Sequence, residues 1–77
     1  MARVPTFGSV QRQLGKRIRA ARLAAELTQE EAAAECGIDY KRWQRLESGE
    51  VNATIRTLHR VAEALGISFW ELLTEAD

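Results

Sequence analysis

Apolar residues along this chain recur at spacings of three and four, the period of an amphipathic helix. Val10, Leu14, Ile18, Ala21 and Ala25 form the first such stripe, with Ser9 placed to cap it, so a first helix is expected from Ser9 to near Leu27. Its basic residues lie mostly off the stripe, and Arg12 and Arg19 read as a solvated face. Ahead of it, residues 1–8 contain Pro5 and Gly8 and show no period, which predicts an irregular arm.

Thr28 followed three residues later by Glu31 is a capping box and predicts the start of a second helix, rich in small residues at Ala32, Ala33 and Ala34. Gly37 supplies the positive φ of a sharp turn, and Asp39 can cap a third helix from Tyr40 to Glu47. Ser48 and Gly49 stop that helix, and residues 50–53 form a loop. Thr54 predicts the start of a fourth helix with Ile55, Leu58, Ala62 and Leu65 on one face and Val61 at its flank; Gly66 ends it. Ser68 with Glu71 repeats the capping box and opens a fifth helix, in which Phe69, Leu72 and Leu73 are expected to serve the core. The prediction is an all-α, compact five-helix domain over residues 9–77 with a helix-turn-helix at its centre, preceded by the arm at 1–8.

At 77 residues, 45% hydrophobic and 29% charged, the chain has the balance of one small helical domain and not of a disordered tail. A chain of this size buries only roughly 60% of the surface its unfolded form exposes, so its stability is expected to be modest. The formal net charge is zero, which argues against a general basic coat for nucleic acid. The distribution changes that picture. Arg3, Arg12, Lys16, Arg17, Arg19 and Arg22 face only Glu26 in the first 27 residues, whereas acids dominate afterwards. In that acidic remainder, Lys41, Arg42 and Arg45 concentrate positive charge on the third helix.

A lone Cys36 and a lone His59 complete no metal set and no nucleophile–base pair, so no cofactor and no metal are expected, and the chain does not read as an enzyme. Cys36 reads as a small buried hydrophobe and His59 as a surface residue. No apolar run approaches the roughly 18 residues that span a bilayer, nor does the N-terminus carry a signal peptide's apolar segment. The expected location is the cytoplasm, in association with the nucleoid.

The segment from Leu14 to Leu73 resembles the Cro and phage-repressor type (Xre-like) of helix-turn-helix DNA-binding domain, the lambda repressor-like fold. The resemblance is carried by TQEEAA at 28–33, Gly37, LESG at 46–49 and the TLHRVAEALGIS-x-x-ELL pattern that ends at Leu73. It implies that the third helix lies in the major groove of double-stranded DNA. Tyr40, Lys41 and Arg45, with Gln44 as a fourth, match positions that read bases, while Gln29, Arg42, Ser48 and Asn52 match backbone contacts. It also implies a partly buried ion pair between Arg22 and Glu47. Two residues depart from the pattern: Trp43 stands where relatives have Ile or Val, paired with a small Ala32, and reads as a ring filling that space. Trp70 stands where relatives have a small or polar residue and marks the expected contact of a homodimer through the fifth helix.

The function this implies is sequence-specific transcriptional regulation by a homodimer on a palindromic operator, of the autoregulatory, phage-repressor, restriction-modification controller or antitoxin kind. The alternative is a protein–protein interaction module of the same fold that reads no bases.

Overall fold

The structure is a computed structural model that describes residues 4–74. Among the described residues there are five helices and no strands: α1 (Phe7–Ala24), α2 (Gln29–Cys36), α3 (Tyr40–Ser48), α4 (Ile55–Leu65) and α5 (Phe69–Leu73). The first three residues of the expected arm lie outside this range.

The first helix begins two residues before the expected start. Thr6, in extended conformation, accepts the Ser9 N–H at 3.1 Å and is the cap, so Ser9 is an internal residue whose hydroxyl accepts from Gln13 Nε2 at 3.0 Å. Either hydroxyl could have capped the helix; Thr6 gains because the turn from Phe7 to Ser9 then forms helical bonds instead of remaining open to solvent. The helix also stops at Ala24, short of Leu27. Glu26 adopts φ 60, and the N–H groups of Glu26 and Leu27 return to the carbonyls of Leu23 and Arg22, the double closure of a Schellman ending. A glutamate occupies a conformation usually left to glycine, at a cost of roughly 1–2 kcal/mol.

The capping boxes at Thr28–Glu31 and Ser68–Glu71 are both formed, and Asp39 and Thr54 cap α3 and α4. Gly37 ends α2 at φ 75, ψ 29, which sends the chain sharply into α3. The core is built from Ile18 of α1, Ala32 and Ala33 of α2, Trp43 and Leu46 of α3, the Leu58–Leu65 stripe of α4, and Leu72 of α5. Trp43 has no exposed surface and shares this cluster with the two alanines. Small residues on one helix thus make room for a large ring on the next.

Four apolar positions expected to face inward do not, the first being Ala25, which caps the end of α1 and is exposed. Ile55 is 75% exposed, because the buried stripe of α4 is Leu58, Val61, Ala62 and Leu65, and its first turn extends past the core beside Phe69 and Trp70. Val10 is exposed as well, as is Phe7, since the 18-residue α1 is longer than the helices it packs on. Leu73 is exposed because a helix of five residues turns only Leu72 fully inward, with Phe69 half-buried one turn earlier.

One close approach fixes how α3 is seated. A Cβ on Gly15 of α1 would stand 2.5 Å from the Glu47 carbonyl oxygen and 2.7 Å from that of Leu46. Only glycine lets the end of α3 come this near.

Candidate nucleic-acid interface

The outer face of α3 is polar because its inner face is spent. Trp43 and Leu46 are buried, and at helical spacing this leaves Lys41, Gln44, Arg45 and Ser48 in a row on the opposite side, all exposed. Lys41, Gln44, Arg45 and Ser48 line one shallow recess, joined at its end by Glu50 from the following loop. Tyr40, 41% exposed, stands at the start of the row, where its hydroxyl accepts from Gln44 Nε2 at 3.1 Å. The pair holds both side chains extended along the helix surface.

On the other flank of Tyr40 a second recess is lined by Arg19, Arg22, Thr28, Gln29 and Glu30. The first turn of α2 opens here, with backbone N–H groups that have no partner within the helix. Such a helix end favours an anion. Arg19, which reads in the sequence as solvated, belongs to this recess; its spacing of three from Arg22 was the available signal. Arg42 lines neither recess, its N–H bonded to the Asp39 cap at 2.8 Å. Asn52 is exposed on the loop beyond α3. Ser48 Oγ lies 3.1 Å from the Arg45 carbonyl and 2.6 Å from Glu50 Oε2, so its hydroxyl is engaged locally.

Beneath this surface one carboxylate ties three helices together. Glu47, its side chain 5% exposed, accepts from Arg22 Nε at 2.5 Å and Arg22 Nη2 at 3.1 Å in a two-pronged pair. It also accepts from Gln29 Nε2 at 3.1 Å and from the Trp43 indole N–H at 2.5 Å. Arg22 donates its remaining contact to the Leu27 carbonyl at 2.9 Å. Burial by itself would raise the Glu47 pKa, but the hydrogen bonds from Arg22, Trp43 and Gln29 and the Arg22 charge outweigh it and hold the carboxyl below its usual range. The hydrogen bond to Glu47 likewise raises the Arg22 pKa against the opposing effect of burial. The contact from Gln29 was not legible in the sequence, since it depends on how α2 and α3 cross; the Trp43 contact lies within α3, where the spacing of four from Glu47 was the available signal.

Away from this face, Trp70 is 69% exposed and meets Phe69 edge-to-face, with ring centres 5.1 Å apart at 81°. With Ile55, Arg56 and His59 the two rings line an apolar groove between α4 and α5. His59 Nδ1 lies 3.4 Å from Glu63 Oε1 on the exposed side of α4. Cys36 is buried, which pushes its thiol pKa up despite the nearby charges of Arg60 and Arg42 and keeps it protonated at neutral pH. Among the described residues no group of His, Cys, Asp and Glu could hold a metal ion, and no helix is long and apolar enough to cross a membrane.

The profile of the family described as "Helix-turn-helix domain" matches residues 13–73. The chain is 46% identical over 59 residues to the uncharacterized HTH-type transcriptional regulator y4dJ of Sinorhizobium fredii, a stretch covering 74% of this chain and 77% of that protein. Among solved structures it is similar to the restriction-modification controller protein C.AhdI from Aeromonas hydrophila, with TM-score 0.79 and 32% identity over 80% of this chain and 94% of the controller. It is also similar to the hypothetical transcription factor NHTF from Neisseria, with TM-score 0.82 and 27% identity over 96% of this chain and 85% of that one.

Proposed function

The chain belongs to the helix-turn-helix domain family, in its Cro and phage-repressor (Xre-like) type, whose members are DNA-binding transcription regulators, and we propose that it recognises a specific palindromic operator as a homodimer. The observation that carries this reading is the outward row of Lys41, Gln44, Arg45 and Ser48 on a helix whose inner face is locked by Trp43, Leu46 and Glu47. In this reading α3 enters the major groove. Tyr40, Lys41, Gln44 and Arg45 meet base edges: Arg and Lys donate to guanine O6 and N7, and the Tyr40 ring meets a thymine methyl. Gln29 is held by Glu47 at the open end of α2, where the backbone N–H groups take a phosphate, with Arg42 and Asn52 as further backbone contacts; the Ser48 hydroxyl, expected among these, is instead spent on Glu50 and the Arg45 carbonyl.

The groove at Ile55, Phe69 and Trp70 is the proposed seat of the second copy. Dimerisation doubles a small set of contacts per protomer, which matters for a chain of zero net charge. The likeness to C.AhdI supports a controller-type regulator, and action in the cytoplasm through its own accumulation is part of the same proposal.

The test is a gel shift on DNA upstream of the chain's own gene, repeated across salt. A specific complex is expected, weakening roughly ten- to thousand-fold between 50 and 200 mM salt if two to six phosphates are neutralised. The zero net charge favours a second reading, a protein-interaction module of the same fold. Absence of a specific complex, or a flat salt dependence, would favour that module.

A further inference from the structure

We propose that Glu50 is a base-reading residue, whose carboxylate accepts a hydrogen bond from an exocyclic amine on a base edge, cytosine N4 in first place. The inference rests on the reading of α3 as the groove-entering helix and adds an acceptor to a face otherwise dominated by donors. Gly49, at φ 77 and ψ 24, turns the chain back at the end of α3, and the Glu50 N–H closes on the Arg45 carbonyl at 2.9 Å. The side chain therefore returns to the recess that Lys41, Gln44, Arg45 and Ser48 line. Ser48 Oγ lies 2.6 Å from Glu50 Oε2, so the carboxylate is steadied from the backbone and from a hydroxyl.

A carboxylate has lone pairs for about four hydrogen bonds, so the contact with Ser48 leaves acceptor capacity for a base. Lys41 and Arg45 can only donate, which suits guanine O6 and N7; an ionised Glu50 can only accept, which suits cytosine N4. A carboxylate turned toward phosphates would be repelled, so a favourable contact of this position with DNA is one with a base edge.

The test uses the full chain and its Glu50→Ala, Glu50→Gln and Arg45→Ala variants, each used to enrich duplexes from a random-sequence pool and then titrated against single-pair variants of the enriched duplex. Circular dichroism checks folding, which an exposed loop side chain should not disturb. The expected wild-type sequence has a C·G pair close to the pair that depends on Arg45. Glu50→Ala should lower affinity for that duplex by about tenfold and abolish discrimination at that pair alone. A Glu50→Ala variant that keeps full preference at every pair overturns the proposal, as does uniform tightening by Glu50→Ala and Glu50→Gln on selected and random duplexes alike, the mark of phosphate repulsion only. A wild type that enriches no sequence overturns the operator reading and this inference together; an enriched sequence lost in Arg45→Ala but untouched in Glu50→Ala overturns the role of Glu50 alone.

Discussion

Replacing Glu47 by Leu removes the acceptor for both Arg22 donors, Gln29 Nε2 and the Trp43 indole N–H. Arg22, 7% exposed, is left among the described residues with the Leu27 carbonyl as its hydrogen-bond partner. Truncating one partner of a buried pair costs roughly 3–5 kcal/mol because the other charge is stranded. A folded domain of 77 residues holds about 4–12 kcal/mol in all, so this single change removes about a quarter or more of the stability. At roughly 4–8 °C per kcal/mol, the midpoint should fall by at least about 12 °C. Thermal and urea unfolding followed by circular dichroism measure both quantities. The double variant Arg22→Met/Glu47→Leu removes the stranded charge and should regain about 2 kcal/mol; the indole N–H still lacks its acceptor, which withholds the remainder. A single variant that loses less than about 1 kcal/mol, or a double variant no better than the single, would refute the view that Glu47 is the tie between α1, α2 and α3.

Acid should unfold the protein through the same residue. The Glu47 carboxyl is held below its ordinary value of 4.5, and Glu31 is likewise lowered by its hydrogen bonds with Thr28, so the stability they lend is complete above about pH 4.5 and is lost as pH falls through the lowered values. A urea midpoint that stays flat from pH 6 to pH 3 would contradict this. Glu26→Gly relieves the left-handed backbone at the end of α1 but loosens the unfolded chain, for a net gain of roughly 0.5–1 kcal/mol in urea unfolding; a loss would mean that the Glu26 side chain contributes. Arg45→Ala should cost about 1–3 kcal/mol on the selected duplex and relax one base pair, whereas equal loss on random DNA would make Arg45 a phosphate contact. Trp70→Ala should shift sedimentation from dimer to monomer at micromolar concentration, and an unchanged dimer would remove the groove from the interface.

What the sequence by itself determined here is local. Caps at Thr28, Asp39, Thr54 and Ser68 and the glycine at 37 act over three or four residues, and these were legible because one hydrogen bond or one φ decides each. The first helix shows the limit even of local reading, since two hydroxyls could cap it and a non-glycine ends it. Periodicity divided α3 into an inner face at Trp43 and Leu46 and an outer one at Lys41 and Arg45. It could not tell that Ile55 and Val10 run beyond the core, because that depends on where neighbouring helices end. Only the tertiary structure decided that Gln29 of α2 joins Arg22 of α1 on Glu47, that Gly15 admits the end of α3, and that Glu50 returns to the recess beside Arg45. Those contacts join residues from separate helices, or follow a turn whose direction is set by packing, and sequence spacing carries no measure of either.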